Sequence, residues 1–176
     1  MLSFQIGVPV AWMLTSNGTT DSIAFFLSWV KEASPEVRPK IIMTDRDQAQ
    51  IAAIQMTYPD SQTLLCIWHV LRVMRSHFNT NEFEALWDKV KAWVKTEDLA
   101  EFHRLWEISN DPSIPESVVR YLAVEWMPVL HMWSKVVRTN RSIFEEGDTN
   151  MLIEAYVIYL SHADKITHLD PDITMY

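Results

Sequence analysis

Glycine and cysteine are scarce in this chain, which has only three Gly and one Cys among its 176 residues. So few glycines cannot build a phosphate-cradling Gly-rich loop, and they argue against a turn-rich all-β design. The lone Cys66 excludes an intrachain disulfide and fits a reducing compartment. Long apolar runs are missing too: stretches such as IGVPVAWML fall far short of the roughly 20 residues that a membrane span needs. The first residues lack the positive charges that open a signal peptide. A soluble intracellular protein without a membrane partner is expected. Nor does any part of the chain read as a basic patch. Residues 1–80 carry six acids and six bases and residues 81–176 seventeen and nine, so the whole net charge of −8 lies in the second part. Nucleic-acid affinity rests on Lys and Arg neutralising phosphates, so weak DNA binding is expected of this chain alone.

What the chain does have is core material. A hydrophobic content of 48%, with eight Trp and nine Met, suffices for one substantial core of helix-rich character. The run VPVAWMLT at 8–15 reads as a strand ending at the turn signal Ser16-Asn17-Gly18. Thr19 or Thr20 can cap a helix with Ile23, Phe26, Leu27 and Val30 on one face. The run KIIMT at 40–44 reads as a buried strand. A helix follows with Ala49, Ala52, Ala53 and Met56 at helical spacing, then a third strand, TLLCI at 63–67, leads into a helix near His69. This β–α–β–α–β–α order favours a parallel sheet of three strands with flanking helices.

From about residue 81 the period turns helical. Phe83, Leu86, Trp87, Val90, Trp93 and Val94 form one amphipathic stripe, and Leu99, Phe102 and Trp106 a shorter one. Ser113 and Glu116 have capping-box spacing before a third helix with Val119, Leu122, Trp126, Val129, Leu130 and Trp133, which Pro128 should kink. Thr149 can cap a last helix to about His162, and the end, HLDPDITMY, carries no strong pattern.

Few positions stand out for chemistry. Asp45 follows a buried strand, where ligands gather in open α/β sheets, but an Asp there also serves as an ordinary helix N-cap. Asp47 reads as a first-turn acid favoured by the helix dipole. Glu154 sits among Met151, Leu152, Ala155, Tyr156, Ile158 and Tyr159, where a carboxylate needs a metal, a donor, or a cation such as Arg138 or Arg141. Cys66 and His69 place a thiol and an imidazole three residues apart, two ligands where structural zinc wants four, which argues against zinc. A buried strand Cys beside a helix-start His is the plainer reading.

The order of the blocks GVPVAWMLTSNGTTDSIAFFLSWV, PKIIMTDRDQAQIAAIQMTYPDSQTLLCIWHVLRVM and TNMLIEAYVIYL closely resembles Mutator-like element transposases, particularly fungal copies. The resemblance covers roughly residues 7–78 and 139–162. It implies an α/β fold, a ribonuclease-H-like core interrupted by an all-helical insertion. The chain would then divide into the first part of the core (1–80), the insertion (81–138), the final core helix (139–165) and a tail (166–176). It also implies cut-and-paste DNA transposition by two-metal phosphodiester chemistry on Mg²⁺ or Mn²⁺, with transposon-end DNA as partner and the nucleus as location. Asp45 corresponds to the second metal-binding catalytic acid and Glu154 to the third, while Cys66 and His69 match the family's C-x-x-H pair. The family's first acid and first strand lie upstream of the block that begins at Gly7, so an incomplete sheet and an inactive lone chain are expected. The alternative is a domesticated interaction or transcription-regulatory module that meets protein partners through the helical insertion, as in the far-red-response factors derived from this family.

Overall fold

In a computed structural model, the residues described are 10–77, 83–137 and 174–175. The packing divides into two compact units, residues 1–63 with 149–176 and residues 64–148.

In the first unit, strand β1 is only Leu14–Thr15, shorter than the run 8–15 predicts. The Thr15 hydroxyl donates to the Asn17 carbonyl at 2.7 Å, and this local turn bond competes with strand pairing and ends it. Helix α1 (Thr20–Ala33) follows, with Thr19 as N-cap accepting from the Ser22 amide. Strand β2 is Ile41–Thr44 and helix α2 is Gln48–Thr57. Helices α1 and α2 pack together over buried Ile23, Ile51, Ala53 and Ile54. Met56, counted at helical spacing in the sequence, is 65% exposed, so the buried face of α2 is rotated toward Ile51 and Ile54. Lys31 Nζ donates to the Thr57 carbonyl at 2.6 Å and lies 5.3 Å from the Tyr58 ring centroid, closing the C-terminal end of α2.

Strand β3 (Gln62–Leu65) spans the boundary between the units and forms a small two-stranded parallel sheet with β2. The Gln62 amide donates to the Lys40 carbonyl at 2.9 Å. The expected three-strand sheet is corrected here: β1 pairs antiparallel with strand β4 (Thr174–Met175), Leu14 opposite Met175 and Thr15 opposite Thr174. Pairing is decided by which backbone groups meet, and a two-residue strand carries too little pattern to name its partner. The same pairing places a strand in the terminal stretch where no pattern was visible.

The second unit is helical after β3. Helix α3 is Ile67–Arg75, α4 Glu84–Lys95 and α5 Leu99–Trp106. The stripe read on α4 is inside: Leu86, Val90, Trp93 and Val94 are buried. On α5 the buried residues are Phe102 and Leu105, whereas Leu99, the first residue after the N-cap Asp98, is 58% exposed. Trp93 stacks on Trp106 at 5.0 Å and meets Trp133 edge-on at 4.9 Å, so aromatic rings form the middle of this core.

The third predicted helix is broken into pieces. Helix α6 covers Glu116–Tyr121, a π turn Leu122–Trp126, a 3-10 turn Met127–Val129, and α7 Leu130–Trp133. Pro128 has no N–H to donate to the preceding turn, so the hydrogen-bond register slips. The Met127 amide reaches the Leu122 carbonyl five residues back, and the Leu130 amide turns to Met127. The Trp126 carbonyl is taken up by the Trp133 indole, whose Nε1 donates to it at 2.9 Å in the buried interior.

The predicted capping box does not form. Pro115 occupies the cap position without a side-chain bond, and Ser113 instead bonds Asp111, amide to Oδ1 at 2.9 Å and hydroxyl to Oδ1 at 2.6 Å. These two bonds hold the Asp111 carboxyl below its usual range. A depressed carboxyl pKa contributes stability that is present above its unfolded value and is lost as pH falls through the folded one. An NMR titration should find Asp111 low in the wild type and returned toward the ordinary carboxylate value in Ser113→Ala. An unmoved titration would assign the depression to something other than the Ser113 hydroxyl, such as the amide bond that alanine keeps.

Candidate functional site

Asp45 follows β2 directly, half-buried, at the carboxyl end of a strand of the parallel sheet. The cap reading of this residue is excluded by its neighbour. Asp47 is the N-cap of α2, with backbone in the extended region and its Oδ1 accepting from the Gln50 amide at 2.8 Å. That also corrects the reading of Asp47 as a first-turn acid. Thr44, buried at the end of β2, bonds the Gln50 side chain, so the strand end and the first turn of α2 are laced together around Asp45. The Asp45 carboxylate has no hydrogen bond or ion pair to any described residue. A half-buried carboxylate without a capping role or a described partner can accept a ligand.

Cys66 and His69 lie in the second unit at the junction of β3 and α3. Cys66 is fully buried and stands at the N-cap of α3, where its carbonyl accepts from the Val70 amide at 3.0 Å and its thiol makes no capping bond. His69, half-buried one turn on, meets Trp68 edge to face at 4.8 Å, and its Nδ1 is enclosed by protein. Spacing of three across a helix start puts the two residues on one side of the first turn. Among the described residues no three His, Cys, Asp or Glu side chains gather as a metal would require. Glu154 lies outside the described residues.

The sequence reading placed α3 but missed its outward face. Trp68, Arg72 and Arg75 are all exposed, and the Arg72 guanidinium lies 5.1 Å from the Trp68 ring centroid. A search for basic patches over whole halves of the chain averages this helix away. The visible signal was the absence of any acid between Asp60 and Glu82. A cleft of about 470 Å³ beside the start of α6, lined by Asp111, Pro112, Ser113, Pro115 and Glu116 among others, uses its Asp111 in the turn already described.

Among the described residues no helix is long and apolar enough to cross a membrane. No curated protein and no solved structure matches this chain. A family model does match: residues 4–73 fit the MULE transposase domain, a stretch that contains β1 through most of α3 and with them Asp45, Cys66 and His69. Residues 4–73 are therefore similar to a MULE transposase domain, and that likeness suggests a transposase-related function.

Proposed function

We propose that this chain serves cut-and-paste DNA transposition on a ribonuclease-H-like core, with Asp45 and Glu154 as two of the carboxylates that hold Mg²⁺ or Mn²⁺. The observation that carries the reading is Asp45 itself: half-buried at a strand end inside the matched domain, relieved of capping by Asp47, and without a partner among the described residues. Hard carboxylate oxygens suit these cations. A divalent cation held there supplies charge stabilisation at a leaving oxygen and lowers the pKa of an attacking water. The part given to Glu154 rests on the resemblance of NMLIEAY and on the need of its carboxylate for a counter-charge among apolar neighbours. Two carboxylates leave a two-metal set short of a ligand, so catalysis calls for a third acid. Transposon-end DNA as partner and a nuclear location belong to the same proposal.

The alternative, an interaction module working through residues 81–138, calls for exposed acidic and aromatic surface there. Its acids Glu84, Asp88, Glu97 and Asp98 are exposed, whereas Trp93, Phe102, Trp126 and Trp133 are buried and Trp87, Trp106 and Tyr121 half-buried, so the acidic surface is present and the aromatic one is not.

Isothermal titration with Mn²⁺ tests the proposal. Asp45→Ala and Glu154→Ala should each abolish the binding heat. Asp47→Ala should retain it while losing about 1 kcal/mol of stability through the vacated cap. A wild-type chain that is folded by circular dichroism yet shows no heat would sink the metal reading.

A further inference from the structure

The outward face of α3 has the composition of a nucleic-acid grip. At about 100° per residue, positions 68, 72 and 75 fall within roughly 60° of one another around the helix. Trp68, Arg72 and Arg75 therefore form one continuous stripe, and all three are exposed. Neither arginine has an ion pair among the described residues, and no acid lies between Asp60 and Glu82 to supply one locally. The C-terminal dipole of the helix favours Arg72 and Arg75 in its last turn. It does nothing for Trp68, in the first turn, which is 40% exposed with a guanidinium packed over its ring.

We infer that this face binds an unpaired DNA strand, with phosphates on Arg72 and Arg75 and a base stacked on the Trp68–Arg72 pair. The two cations call for a polyanion spaced along the helix, and the flat indole–guanidinium platform calls for planar rings. An acidic peptide would satisfy the arginines and leave the platform unused. Paired bases present only their edges, so the strand that uses the platform is single. The inference deepens the transposition reading by naming where a strand is held, and it rests on that reading for DNA rather than RNA.

Fluorescence anisotropy of an end-labelled oligothymidylate with the full chain, in a chelator and across a salt series, tests it. The wild type should bind at low salt. Arg72→Ala and Arg75→Ala should each make the slope of log K against log salt shallower by about 0.7. Trp68→Ala should weaken binding roughly tenfold with the slope unchanged. Lys89→Ala, an exposed cation on α4, should change neither quantity. Absence of binding at low salt, slopes indifferent to both arginines, or a Trp68→Ala chain as tight as wild type would each overturn the proposal. So would equal binding of polyglutamate. With chelator present the result is independent of the metal reading: loss of Mn²⁺ binding leaves this face standing, and failure at this face leaves Asp45 standing.

Discussion

Trp133→Ala is expected to destabilise the second unit by about 3–5 kcal/mol, the range for removing a large aromatic from a packed core. Trp133 is completely buried, meets Trp93 at 4.9 Å and Trp126 at 6.4 Å, and supplies the indole hydrogen bond to the Trp126 carbonyl. Domain stabilities are about 5–15 kcal/mol, so the loss removes a large share of what holds the unit together. Trp133→Phe separates the two contributions. It keeps an aromatic ring in the core but deletes the indole donor to the Trp126 carbonyl, a hydrogen bond worth about 0.5–1.5 kcal/mol. Denaturant unfolding followed by circular dichroism should rank the chains wild type, then Trp133→Phe, then Trp133→Ala. A phenylalanine variant as stable as wild type would show that the break at Pro128 is satisfied without the indole.

In the first unit, Ile54→Ala should lower stability by about 2–5 kcal/mol, because Ile54, 4% exposed, lies on the buried face of α2. Ala53→Leu at the adjacent, fully buried position should cost about 1–3 kcal/mol by overpacking. Met56→Ala, two residues on and 65% exposed, should stay within about 0.5 kcal/mol of wild type. Denaturation midpoints measure all three. Similar losses for Ile54 and Met56 would extend the buried face of α2 to Met56, as the sequence spacing of Ala49, Ala52, Ala53 and Met56 read it.

The candidate site was legible in part. Asp45 at the end of KIIMT was found from one buried run and the residue after it, but cap and ligand could not be separated locally. Either Asp45 or Asp47 can begin α2, and the choice depends on which backbone turns extended before the first helical residue. The structure gave the cap to Asp47, and only that assignment frees Asp45. Trp68, Arg72 and Arg75 went unread because exposure, not residue type, makes a surface. A Trp at a helix start counts toward the core until the packing of Ile67, Val70 and Met74 turns it outward.

By itself the sequence determined the alternation of strand and helix up to Arg75, the helical character of residues 84–133, and the irregularity at Pro128. These follow from local terms: apolar period, side-chain bonds to nearby amides, and a proline without an N–H. Only the tertiary structure decided that β1 pairs with β4, that Ser113 serves Asp111 instead of capping α6, that α2 turns Met56 outward, and that the Trp133 indole donates to the Trp126 carbonyl beside the break. Each of these is a choice among partners of nearly equal local merit. Such choices are settled by which groups the folded chain brings within bonding distance and which it shuts away from water.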